Sequence, residues 1–236
     1  MKIKTTILIA LALSIVISCT NEDNAPQLFV KASANYTNVK TKADQANIEL
    51  SKFKINLREI ELEYDDDIED DNYDDTQEHL YDDLEFEGPF ELDLLSGATQ
   101  INIAAAEVPI DTYEEIEFDM SRSIDTASDM YDKSILIEGT IDGTPFVFWH
   151  DSDEEFEVDY ANAANDIVMT GNDASIVINF DLNIIFGATS GIDFSTAIDG
   201  NQDGLIEIHP GDDDGNSRLA DFIKELLHES ADLLDD

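Results

Sequence analysis

The chain reads as all-β: an antiparallel β-sandwich followed by a C-terminal helix. Three observations carry this. From Gln27 onward apolar residues recur mostly at every second position, the period of a strand. Such runs return at short intervals with almost no helical pattern between them, which is the layout of a sandwich. The period changes only near the end of the chain, where Leu219, Phe222, Ile223, Leu226 and Leu227 follow helical spacing.

Residues 1–18 stand apart from the rest. Lys2 and Lys4 open the chain, and Thr5 to Ile17 is an almost unbroken apolar run. That run is short for a bilayer span and has the layout of a secretory signal. Its end, Val16-Ile17-Ser18-Cys19, resembles the lipobox of bacterial lipoproteins. The resemblance implies that Cys19 is acylated, becomes the first residue of the mature chain and anchors it to a membrane. Residues 19–26 then form a polar tether. Thr20 after the cysteine resembles an outer-membrane address, and Glu22-Asp23 resembles the acidic tag of surface-displayed lipoproteins. The expected location is therefore the outer membrane, lipid-anchored, with the cell surface favoured over the periplasmic face.

Residues 27–210 are expected to form the sandwich. Gln27 to Asn35 is its first strand. In Ser51 to Tyr64, Phe53, Ile55 and Leu57 alternate, and so do Ile60, Leu62 and Tyr64, but the phase slips between the two triplets. A β-bulge near Arg58-Glu59 would absorb the slip and keep both triplets on one face. Residues 65–83 are too acidic to pack and read as a solvated loop, with weak cation binding as the alternative. Phe90, Leu92 and Leu94 alternate next, then Ile101 and Ile103, then Ile116, Phe118 and Met120. Residues 121–133 read as a polar loop. Asp142-Gly143 between two apolar runs predicts a hairpin. Phe156, Val158 and Tyr160 follow, then Ile167 to Met169. Ser175 to Phe186 reads as the longest strand, apolar on one side, with Asn179, Asp181 and Asn183 on a wet side. Such a strand belongs in an antiparallel sheet. Residues 211–236 are expected to form the helix, with Asp214 or Asn216 capping its start and Leu233-Leu234 beyond the apolar stripe.

Composition limits the function. Twelve basic residues face 55 acidic ones, a net charge of −43. Such a surface repels nucleic acid and anionic lipid head groups and attracts cations. The one cysteine, if acylated, leaves no disulfide, so the fold rests on burial. The four histidines show no zinc-ligand spacing, and no nucleophile elbow, P-loop or dinucleotide fingerprint occurs. With so many acids, no carboxylate pair can be singled out for glycoside hydrolysis.

The sharpest local motif is Asp199-Gly200-Asn201-Gln202-Asp203-Gly204-Leu205-Ile206-Glu207. Oxygens at Asp199, Asn201 and Asp203 alternate as in the start of an EF-hand-type loop, and Gly204 allows the turn. The Leu205 carbonyl and Glu207 would be the next Ca²⁺ ligands. The pattern then departs, because Pro210 stands where an EF-hand has its bidentate carboxylate. Asp212 or Asp214 is available to complete the shell. A plain Asp/Asn/Gly turn is the competing reading, and both stay open on sequence. Trp149 with Phe146 and Phe148 offers a candidate carbohydrate platform, against the alternative that Trp149 is a core residue.

Several segments also carry a family resemblance: residues 53–64, 90–97, 107–120, 135–148 and 176–186. Together they resemble bacterial surface lipoproteins with a prealbumin-like β-sandwich domain of unknown function. A characteristic Pro-Tyr turn of that family appears as Val108-Pro109-Ile110-Asp111-Thr112-Tyr113, with Asp111 in place of a glycine. The resemblance implies a prealbumin- or immunoglobulin-like sandwich and brings no activity with it. The expectation is a non-enzymatic, Ca²⁺-stabilised binding or adhesion module, with a glycan or an envelope protein as partner. An accessory subunit of an uptake or secretion complex and a glycan-acting hydrolase are the alternatives.

Overall fold

The computed structural model describes residues 26–38, 46–64, 84–108, 112–159, 167–169 and 172–235. The signal segment, Cys19, the tether and the acidic loop 65–83 lie outside the described residues.

The fold is all-β, two sheets packed over one apolar core. The strands are β1 (Gln27–Asn35), β2 (Ile48–Tyr64), β3 (Leu84–Asp93), β4 (Ile101–Glu107), β5 (Thr112–Met120) and β6 (Ile135–Ile141). They continue with β7 (Thr144–His150), β8 (Glu154–Asp159), β9 (Ile167–Val168) and β10 (Ala174–Asp181). After β10 come a single turn α1 (Asn183–Phe186), strand β11 (Ile206–Ile208), helix α2 (Ser217–His228) and strand β12 (Ala231–Asp235). One sheet runs β12-β10-β1-β4; the other runs β11-β7-β6-β2-β5-β8, with β3 also on β2 and β9 on β5.

The expected bulge is present. The pairings of β2 with β3 and with β5 both shift register between Leu57 and Glu59. Phe53, Ile55 and Leu57 before it, and Ile60 and Leu62 after it, are all buried. Gly88 sits opposite the bulge, where a Cβ would meet the Leu57 carbonyl oxygen at 2.5 Å, so only glycine fits. The Asp142-Gly143 hairpin is also as expected, with both residues at positive φ.

Near its middle, β2 changes neighbours on one side. Up to Ile55 it pairs with β6, and from Leu57 with β5. Asn56 sits at this fork. Its amide donates to the Ser134 carbonyl, its carbonyl accepts from the Ser121 amide, and its side chain donates to the Ser121 carbonyl at 2.8 Å.

Four expectations about the fold need correction. The sheets are mixed, not purely antiparallel: β1 pairs β10 in parallel and β7 pairs β11 in parallel. These partners come from distant parts of the chain, so no hairpin dictates their direction. Strand β10 has no wet face either. Ile176, Val177, Ile178, Asn179 and Phe180 are all buried, and Asn179 bonds Ser33 and Asn35 of β1. It is also not the longest strand, a place taken by the 17-residue β2. The Asp181 carboxylate accepts the Asn183 amide at 3.0 Å, and this local bond turns the chain into α1. Finally, the C-terminal helix stops at His228, and Leu233-Leu234 pair with β10 as β12.

Phe180 joins the two sheets. Its ring lies 5.5 Å from Phe53, 6.1 Å from Phe118 and 6.4 Å from Phe156, edge-on to each. Helix α2 packs beside β7 and β11 through Ala220, Ile223 and Leu227, while Phe222 remains exposed.

Candidate metal centre

The segment 199–207 is a tight loop leading into β11, whose pairing with β7 fixes its far end. Gln202 and Gly204 both have positive φ, which draws the chain into a small ring. Asp199 accepts the Asp203 amide through Oδ1 at 3.1 Å and the Gly204 amide through Oδ2 at 2.9 Å. Asn201 Oδ1 accepts the same Asp203 amide at 2.9 Å, and Asp203 Oδ1 accepts the Leu205 amide at 2.9 Å. The oxygens of Asp199 and Asn201 thus meet at one amide inside the ring. Glu207 reaches back across the loop, its Oε2 accepting from Asn201 Nδ2 at 3.4 Å. The donor set is all oxygen, the hard type that suits Ca²⁺, and each carboxylate oxygen keeps lone-pair capacity beyond its amide bond.

In the next turn Asp212 and Asp214 are engaged with main-chain amides. Asp214 is 4% exposed and faces the backbone of the loop. It accepts the Asn201 amide at 3.0 Å and the Glu207 amide at 2.8 Å. Burial pushes its carboxyl up, but the amides of Glu207, Asn201 and Gly200 and the nearby His209 outweigh burial. They hold it below the usual carboxylate range. Asp212 accepts the Gly215 and Asn216 amides through Oδ1, and its Oδ2 is buried with no hydrogen-bond partner.

Asn216 does occupy the N-cap position of α2, but its side chain makes no capping bond. Instead it accepts the Ile198 amide and donates to the carbonyls of Ile198 and Glu207. Asp214 and Asn216 therefore form a platform that holds the loop at both ends. Gly200 lies so close to it that a Cβ would come within 2.4 Å of the Asp214 carbonyl oxygen. These roles escape sequence reading, because an Asp that ligates a metal and an Asp that binds amides look alike in a sequence.

A second acidic feature lies on the outer face of β2, β5 and β8. Glu61, Glu117 and Glu157 stand in one cross-strand row, and Glu59, Asp119 and Glu155 in the next. Among the described residues, Glu117, Glu155 and Glu157 are the one trio of acidic or histidine side chains whose ligand atoms all lie within 4.8 Å of one another. Asp199, Asp203 and Glu207 do not meet that measure. Arg58, the extra residue of the bulge, pairs with Asp119 and brings one positive charge to the acidic rows.

The aromatic platform is not assembled. Phe146 and Phe148 point into the core, while Trp149 lies on the other face of β7. Its ring stacks on His209 at 4.3 Å, with Lys133 Nζ 5.9 Å from its centroid.

Among the described residues no helix is long and apolar enough to cross a membrane. Comparison of the chain with protein-family models, with curated proteins and with solved structures finds no match in any of the three.

Proposed function

We propose that the protein is a lipid-anchored envelope module without catalytic chemistry, whose sandwich serves binding or adhesion and whose 199–207 loop takes Ca²⁺. The observation that carries the calcium reading is the shared Asp203 amide. Asp199 and Asn201 both accept it, so two of the proposed ligands are already gathered on one side of the ring. Asp203, the Leu205 carbonyl and Glu207 supply the remaining protein oxygens. The Asp214–Asn216 platform supports the same reading, because it fixes the loop without using the ligand side chains of Asp199 and Asp203. The Cys19 anchor and the outer-membrane location rest on the lipobox resemblance.

The test is a calcium titration of thermal stability in the wild type and in Asp203→Ala. A site occupied at ten times its Kd adds about 1.4 kcal/mol. The wild type is expected to gain stability and Asp203→Ala to gain much less. An equal gain in both removes this loop as the site. Mass spectrometry of the native protein tests the anchor, where an unmodified Cys19 thiol would overturn it.

A further inference from the structure

Helix α2 has two apolar edges. Ala220, Ile223 and Leu227 face the sandwich. Leu219, Phe222 and Leu226 form the adjoining edge; Leu219 and Leu226 are half-buried against the core, and all three line, with Ile192, a groove of about 460 Å³. That volume lies within the range of ligand-binding clefts, roughly 300–1,000 Å³. Phe222 is 46% exposed, a large apolar side chain left in water on an otherwise acidic protein.

The rim of the groove says what would cover it. Asp193, Glu225 and Glu229 supply three carboxylates, and Arg218 the one guanidinium. Arg218 is held over the Phe222 ring, 5.5 Å from its centroid, so the ring already carries a cation on one face. A second copy of the chain would bring the same acidic rim and a net charge of −43 against it. An anionic membrane is repelled for the same reason. A partner that pairs an apolar group with a positive charge matches both the floor and the rim.

We propose that this groove receives a short peptide segment of a partner protein, one that sets an apolar side chain beside a lysine or arginine. The apolar side chain lies on Leu219, Phe222 and Leu226, and the basic group meets Glu225 and Glu229. This deepens the binding-module reading and rests on it, but it does not depend on calcium.

The probe is a fluorescein-labelled peptide alternating leucine and lysine, with a leucine–glutamate counterpart as control. Binding to the full-length protein is followed by anisotropy at physiological salt, where long-range attraction is screened. The leucine–lysine peptide is expected to bind and its acidic counterpart not to. Phe222→Ser, at an exposed position, is expected to weaken binding roughly tenfold. Glu225→Gln with Glu229→Gln is expected to weaken it, whereas Glu85→Gln with Glu87→Gln on β3, a strand that pairs with β2, leaves it unchanged. Chemical-shift mapping on the wild type locates the peptide without any substitution. Unchanged affinity in Phe222→Ser, equal binding of the acidic peptide, or self-association through Phe222 would each overturn the proposal. The calcium response of the same samples is read separately. Lost peptide binding with that response intact removes the groove alone.

Discussion

The carboxylate of Asp214 accepts the amide of Glu207 at 2.8 Å, with its other oxygen on the amide of Asn201. One buried acid therefore ties together the first part and the end of the candidate calcium loop. Asp214→Ala leaves both amides without their acceptor and is expected to cost about 2–4 kcal/mol. Urea unfolding at neutral pH measures it. The variant should also lose most of the calcium response, because the ligand residues lose their support. The pH dependence has a definite sign. The folded carboxyl is held below its ordinary value of 3.8, so its contribution is complete above that value and is lost as pH falls through the folded one.

Gly200 provides an independent check on the same platform. A methyl group there would press on the main chain at Asp214, which cannot move without releasing Asn201 and Glu207. Gly200→Ala is expected to destabilise by about 1–3 kcal/mol. Gly204→Ala, in open space but at positive φ, tests the ring rather than the platform. It should lower calcium affinity at a stability cost of about 1 kcal/mol. Thermal melts with and without calcium separate the two.

Phe180 makes a central contact between the sheets, since its ring meets Phe53, Phe118 and Phe156 at once. Phe180→Ala opens a cavity bounded by all three rings and is expected to cost about 3–5 kcal/mol. Phe222→Ala, on the exposed face of α2, is expected to cost less than about 1 kcal/mol. Guanidinium unfolding with unchanged m-values reads both.

The acidic rows on the outer face of β2, β5 and β8 work against folding. Burial first, then Glu63, Glu155, Glu157 and Glu61, push the Glu117 carboxyl above its ordinary value of 4.5. Between that value and the raised one the folded state binds more protons than the unfolded state, so stability falls as pH rises through this window. Glu117→Gln is therefore expected to stabilise the protein at about pH 7, by about 0.2–1 kcal/mol, the size of a cross-strand pair. The advantage should disappear as pH falls below about 4.5. Thermal melts across that range check it.

How far the sequence reveals this molecule depends on how local each feature is. The bulge at Arg58 is legible because a slip in a strict two-residue period has one cheap explanation. The Asp142-Gly143 turn is legible because two adjacent positive φ values demand such residues. The parallel pairing of β1 with β10 leaves no local mark, since the partners Leu28 and Ala174 lie far apart in the sequence. The acidic rows are hidden for the same reason. Glu61, Glu117 and Glu157 each alternate with apolar neighbours, and only the register brings them side by side. In the candidate loop, Asp199, Asn201, Asp203 and Gly204 can be read directly, but the platform residues Asp214 and Asn216 show up only in three dimensions.

The C-terminal segment gives the clearest separation between helix and strand readings. Leu233 and Leu234 lie next to each other, so a helical stripe would carry both on one broad apolar edge. In β12 they point to opposite faces: Leu233, paired with Ile178, is 7% exposed, and Leu234, paired with Val177, is 40% exposed. Leu233→Ala is expected to cost about 2–4 kcal/mol and Leu234→Ala well under half of that. Both are measured as the change in urea midpoint at constant m-value. Equal costs would argue against the strand. A large difference, together with slow amide exchange at Leu233 and Ile178, places the last residues of the chain in the sheet and makes them part of the sandwich rather than a tail beyond it.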